Sequence, residues 1–126
     1  MKIDNYKNWK EVLSEDEFHS ILKELIKKKD NYSQFSLLEI LNLLSEKFLL
    51  FYGVTKLTNE EKTFINSILI ELTNFSNLSI TEELIGILFN FRLDGYYFYL
   101  KDHLHLIRND EVKNELLDSL KEYEED

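Results

Sequence analysis

Apolar residues recur along this chain at three- and four-residue intervals, the spacing that gathers side chains on one side of an α-helix. Tyr6, Trp9, Val12 and Leu13 begin the series as a short amphipathic segment, with Asp4 as its expected cap. Phe18, Ile21, Leu22, Leu25 and Ile26 follow as the stripe of a core-facing helix. Ahead of them, Ser14 and Glu17 are spaced as a capping box, hydroxyl and carboxylate each taking one free backbone N–H. Lys27, Lys28 and Lys29 close this helix at the end where its dipole favours cations.

Ser36 with Glu39 is spaced as a second box. Residues 37–52 are apolar on most sides, broken only by Glu39, Asn42, Ser45, Glu46 and Lys47, which predicts a central helix. Gly53 is its expected left-handed stop. Thr58 with Glu61 makes a third box, before a stripe of Phe64, Ile65, Ile68, Leu69 and Leu72. Ser79 with Glu82 makes a fourth, with Thr81 as the alternative cap. Leu84, Ile85, Leu88 and Phe89 carry that helix, which is expected to end near Asp94 and Gly95. Residues 96–108 read as a further helix with Tyr97, Leu100, Leu104 and Ile107 on one face. Asn109 or Asp110 then caps a last helix whose Val112, Leu116, Leu117 and Leu120 are expected to face inward.

The pattern predicts an all-α fold of six or seven helices, in a single helical domain over residues 1–126. Residues 100–123 resemble a HEAT-like helix-turn-helix unit, through the turn at Asn109, Asp110, Glu111 and Val112 and the spacing of Leu116 and Leu120. The architecture is therefore expected to be either a HEAT-like α-solenoid stack or an irregular helical bundle. Hydrophobic residues make up 44% of the chain, enough for one real core. No apolar run approaches the ~20 residues of a membrane helix, and the start of the chain lacks the apolar stretch of a signal peptide. With no cysteine, disulfides, thiolate metal sites and cysteine nucleophiles are excluded. A cytoplasmic location is expected, since a reducing compartment suits such a chain.

Catalytic motifs are missing from the sequence. Glycine-rich phosphate loops and the serine elbow do not occur. His103 and His105 stand two apart, so on a helix they point to different sides, unlike metal pairs at three or four. His19 reads as a surface or boundary residue. The expectation is a binding protein and not an enzyme, with no cofactor and no metal.

Charge supplies the more informative signal. The net charge of −9 repels phosphate, so no direct nucleic-acid contact is expected; Lys23, Lys27, Lys28 and Lys29 are read as compensation of the helix dipole. Residues 1–63 hold 10 basic and 11 acidic side chains, whereas residues 64–126 hold 5 and 13. At 100° per residue, Glu111, Glu115, Asp118, Glu122 and Glu125 fall on one side of the last helix, opposite its apolar side, with Lys113 and Lys121 off the stripe. Like charges at this spacing cost a few tenths of a kcal/mol per pair. Such a stripe suits a protein partner with a basic surface. Tyr96, Tyr97, Phe98 and Tyr99 cannot all be buried on one helix face, and with Asp94 and Asp102 they form a second candidate patch. The candidate partner-binding residues are Asp94, Tyr96, Tyr99, Asp102, Glu111, Glu115, Asp118 and Glu122.

A small, acidic, cysteine-free helical chain with the HEAT-like residues 109–120 resembles an immunity protein of a bacterial polymorphic-toxin system. The resemblance implies a cognate toxin domain as partner, neutralised when the acidic stripe covers a basic active-site cleft. Two other readings fit the same residues: a regulatory or scaffolding adaptor whose apolar and aromatic groove takes a partner helix, and an acidic nucleic-acid mimic that inhibits a DNA-binding protein.

Overall fold

Residues 3–125 are described by the computed structural model. They form six α-helices: α1 (Glu15–Lys28), α2 (Gln34–Leu49), α3 (Asn59–Leu72), α4 (Leu78–Phe91), α5 (Asp94–His103) and α6 (Asp110–Glu125). Three short 3-10 segments, Ile3–Asn8, Lys29–Asn31 and Leu104–Leu106, complete the regular structure, and no strand occurs among the described residues. The fold is all-α. The chain divides into two compact units, one ending at Ile65 and the other starting at Asn66, so the division falls inside α3.

In the first unit, the predicted box at Ser14 is formed. Its Oγ accepts the Glu17 N–H at 3.1 Å, and Glu17 Oε1 accepts the Ser14 N–H at 3.0 Å. That backbone donor holds the Glu17 carboxyl below the usual carboxylate range. Phe18, Ile21, Leu22 and Leu25 are buried against α2, which buries Leu37, Leu38, Ile40, Leu41 and Leu44 in turn. So many buried positions on one helix explain its nearly continuous apolar run. The box at Thr58 and Glu61 also forms, with bonds of 3.1 and 2.8 Å.

Other local expectations need correction. α2 is capped by Ser33, whose Oγ accepts the Ser36 N–H at 3.1 Å, and not by Ser36. Glu39, thus released from capping, accepts the Tyr6 hydroxyl at 3.0 Å. α2 ends at Leu49, short of the predicted residue 52, and the chain turns with Tyr52 (φ 50°) and Gly53 (φ 80°) both left-handed. Near the start, Asp4 lies within a 3-10 turn and accepts the Tyr32 hydroxyl at 2.5 Å. Ile3 and Leu13 are buried there, whereas Val12 is 57% exposed.

In the second unit, Asn77 caps α4 by accepting the Ile80 N–H at 3.0 Å, so neither Ser79 nor Thr81 is the cap. Thr81 is buried and bonds back to the Asn77 carbonyl at 2.8 Å. α4 stops at Phe91, where Arg92 takes the left-handed conformation (φ 58°), and Asp94 with Gly95 begins the next helix instead of ending this one. α5 lacks a side-chain cap of its own at Leu93. Asn66 of α3 substitutes, its Oδ1 accepting the Tyr96 N–H at 2.9 Å. A Cβ on Gly95 would stand 2.8 Å from Asn66 Nδ2, so only glycine leaves room for this cap.

α5 is also shorter than predicted. It gives way after His103 to the 3-10 turn, and Ile107 is extended. Asn109, one of the two expected caps, accepts the Val112 N–H of α6 at 3.1 Å. α6 buries Val112, Leu116, Ser119, Leu120 and Tyr123, but Leu117 is 46% exposed because it falls off the side centred on Leu116 and Tyr123. Among the described residues, no helix is long and apolar enough to cross a membrane.

Candidate functional site

α6 presents its acidic side to solvent. Glu111, Asp118, Glu122 and Glu125 are exposed, and among the described residues no cation pairs with any of them. Glu115, half-buried on the same side, accepts the Ser119 hydroxyl at 3.3 Å. The Glu124 carboxylate is the exception on this helix. It takes Lys101 Nζ at 2.9 Å and the Tyr97 hydroxyl, two donors that hold its carboxyl below the usual range. Lys101 is correspondingly raised by its bond to Glu124.

The candidates on α5 are placed less uniformly. Asp102 is exposed with no partner among the described residues. Asp94 accepts the Tyr123 hydroxyl at 2.6 Å and so ties α5 to the far end of α6. Tyr99 is half-buried, its ring 4.1 Å from that of His103. Tyr96 is 1% exposed and its hydroxyl meets Thr73 Oγ1 at 2.8 Å, so it belongs to the core. The aromatic run thus gives the surface Phe98 in place of Tyr96. Glu111, Glu115, Asp118 and Glu122 are brought together on one face, while Asp94 and Asp102 lie at opposite ends of α5.

Two features of the first unit escaped the sequence pattern. At the end of α2 and in the turn that follows it, Leu49, Leu50, Tyr52 and Val54 are all exposed, Tyr52 by 87% and Val54 by 80%. A run that reads as helix interior is therefore a projecting apolar turn. The second is a hydrogen-bonded chain. His19 Nδ1 lies 2.7 Å from Glu61 Oε2 and its Nε2 lies 3.0 Å from Thr55 Oγ1, with His19 and Glu61 on the wall of a cleft of about 360 Å³. Among the described residues, no group of His, Asp and Glu is placed to hold a metal ion.

The tyrosine contacts carry a pH prediction. Burial and the bond to Asp4 push the Tyr32 hydroxyl up to about 12, and burial followed by the bond to Asp94 raises Tyr123. Burial raises Tyr96, and the bond to Glu124 followed by burial raises Tyr97. A folded value above the unfolded one contributes stability that is complete below the ordinary tyrosine value of 10.0 and is lost as pH rises through the folded value. Urea midpoints are thus expected to fall steeply above pH ~10, and Tyr32→Phe to flatten that fall; equal slopes for both chains would refute the assignment.

No family model, no curated protein and no solved structure matches the chain.

Proposed function

We propose that this chain is a protein-binding domain whose acidic α6 face docks on the basic surface of a partner. We propose further that it serves as an immunity protein, neutralising a cognate bacterial toxin domain by covering its active site. The observation that supports this most is the set of exposed carboxylates on Glu111, Asp118, Glu122 and Glu125, which no cation offsets among the described residues. A face that only needs solvation gains from mixed signs, whereas one sign on neighbouring turns costs stability and gains it back against a cationic partner. Covering a cleft that binds phosphate needs no catalytic group on the inhibitor.

The test uses Asp118→Lys with Glu122→Lys, two exposed positions on this face. Binding is measured to a basic toxin domain encoded next to this chain, and the absence of any such neighbouring gene would itself count against the immunity reading. Reversal of both charges is expected to weaken binding by about tenfold or more and to reduce its salt dependence. Equal affinity and an equal salt slope would reject the acidic face.

The adaptor reading has its own support in the projecting turn at residues 49–54. Exposed aromatic and aliphatic side chains of this kind anchor interfaces through apolar contact. Binding by that turn would persist in high salt and fail in Tyr52→Ala, a pattern opposite to the one expected for α6.

A further inference from the structure

Three side chains distant in sequence meet in the first unit. His19 comes from α1, Thr55 from the turn after α2, and Glu61 from the first turn of α3. Glu61 is 5% exposed, and its Oε1 already accepts the Thr58 N–H at 2.8 Å, so the carboxylate is fixed before it meets His19. A carboxylate can only accept, so the His19 Nδ1 that stands 2.7 Å from Glu61 carries the hydrogen. In the Nδ1–H tautomer the Nε2 lone pair faces the Thr55 hydroxyl, 3.0 Å away. Phe18 seats the ring from the side, its centroid 5.2 Å from that of His19.

A hydroxyl, a base and a carboxylate that orients the base, all in hydrogen-bond reach, are the parts of an activated nucleophile on any fold. The cleft of about 360 Å³ has room for a small molecule; His19 and Glu61 stand on its wall with Lys23, Ile26, Lys56, Thr58 and Glu60, and Thr55 adjoins it through His19. With the Glu61 carboxylate engaged by His19 and the Thr58 N–H, Lys23 and Lys56 face one further carboxylate, Glu60, and this surplus of one cation suits an anionic end on the substrate, while the isoleucine suits a short apolar one.

We propose that Thr55 is the nucleophile of an esterase site for small esters with a carboxylate tail, with His19 as general base and Glu61 as positioning residue. The site is independent of the acidic face of α6. Thr55 Oγ forms a bond to the ester carbonyl carbon while its proton passes to His19 Nε2. The tetrahedral adduct collapses with cleavage of the ester C–O bond, and the departing alcohol oxygen takes that proton. Water then attacks the acyl-Thr55 carbonyl and gives a proton to Nε2. That proton returns to Thr55 Oγ as the carboxylic acid leaves. The sum is ester plus water giving acid plus alcohol.

The experiment uses the full chain and the 4-nitrophenyl monoester of succinic acid. Nitrophenol release above the buffer rate is expected, with a succinyl adduct on the peptide containing Thr55 in acid-quenched samples. Thr55→Ala, a turn substitution that leaves helix circular dichroism unchanged, should abolish both, and Thr55→Ser should keep turnover. His19→Ala should lower the rate by about 100-fold or more. For Glu61→Gln the separate readout is nitrogen NMR of the His19 imidazole, which should show loss of the Nδ1–H tautomer together with lost turnover. A merely structural trio would give release equal in the wild type and Thr55→Ala, or an adduct on lysine or tyrosine alone, and either result would overturn the proposal, as would no release above buffer.

Discussion

Phe18→Ala is expected to lower the unfolding free energy by about 3–5 kcal/mol. Phe18 is fully buried, with the rings of Phe48 and Phe51 at 5.6 and 5.5 Å. Both neighbours belong to α2 and the turn that continues it, so they cannot close on the cavity without bending that helix. Incomplete collapse is the condition under which the cavity cost adds to the lost transfer energy. A domain of this size has about 5–15 kcal/mol to lose. Urea unfolding followed through Trp9, the chain's single tryptophan, reports on the first unit directly. Phe18→Leu keeps most of the apolar volume and should cost clearly less. A loss below ~1 kcal/mol for Phe18→Ala would mean that the ring cluster is not the packing centre of this unit.

How much of this fold could be read from the sequence depends on whether the signal was local. The boxes at Ser14/Glu17 and Thr58/Glu61 form because all their partners lie within four residues, which spacing alone reports. Ser36/Glu39 has the same spacing and fails because Ser33 caps one turn earlier and Tyr6, distant in sequence, claims Glu39. The start of α5 shows the converse. Its cap is Asn66, which no local rule could assign, and Gly95 read as a helix end when its actual role is to make room for that cap. Tertiary partners override local preference at such points.

The candidate surfaces divide in the same way. The acidic side of α6 was legible because exposed charge on one helix is fixed by the 100° step. Leu117 was misplaced at the edge of the apolar side, where one step decides between core and solvent. Tyr96 could not be distinguished from Phe98 by composition, since four consecutive aromatics give no phase. The exposed residues 49–54 were hidden by their own hydrophobicity: pattern reading places apolar residues inside, whereas α2 stops at Leu49 and the chain turns at the left-handed Tyr52 and Gly53. His19, Thr55 and Glu61 had no sequence signature, because their proximity depends on how α1 and α3 meet.

Tyr123→Ala is expected to cost about 3–5 kcal/mol in the second unit, and Tyr123→Phe about 1–2 kcal/mol. Four interactions converge on this side chain, one of them the edge-on ring of Phe89 at 5.5 Å. The Tyr123 ring stacks on Tyr97 at 4.9 Å, the Arg92 guanidinium lies 4.0 Å from its centroid, and its hydroxyl donates to Asp94 at 2.6 Å. Phenylalanine keeps the stacking and the cation–π contact and loses only the hydroxyl. Because Asp94 is exposed, water can replace that donor, which keeps the smaller figure small. A double-mutant cycle with Asp94→Ala isolates the bond, and coupling within ~0.3 kcal/mol of zero would show it to be without net worth. The two variants also separate folding from binding. Tyr123 anchors the end of α6 next to Glu122, so alanine should loosen the acidic face and weaken partner binding. Phenylalanine leaves every carboxylate of that face in place, and its affinity is expected to equal that of the unaltered chain. Lost affinity in Tyr123→Phe, with the helix content intact, would move the contact from the carboxylates of α6 to the junction between Asp94 and Tyr123.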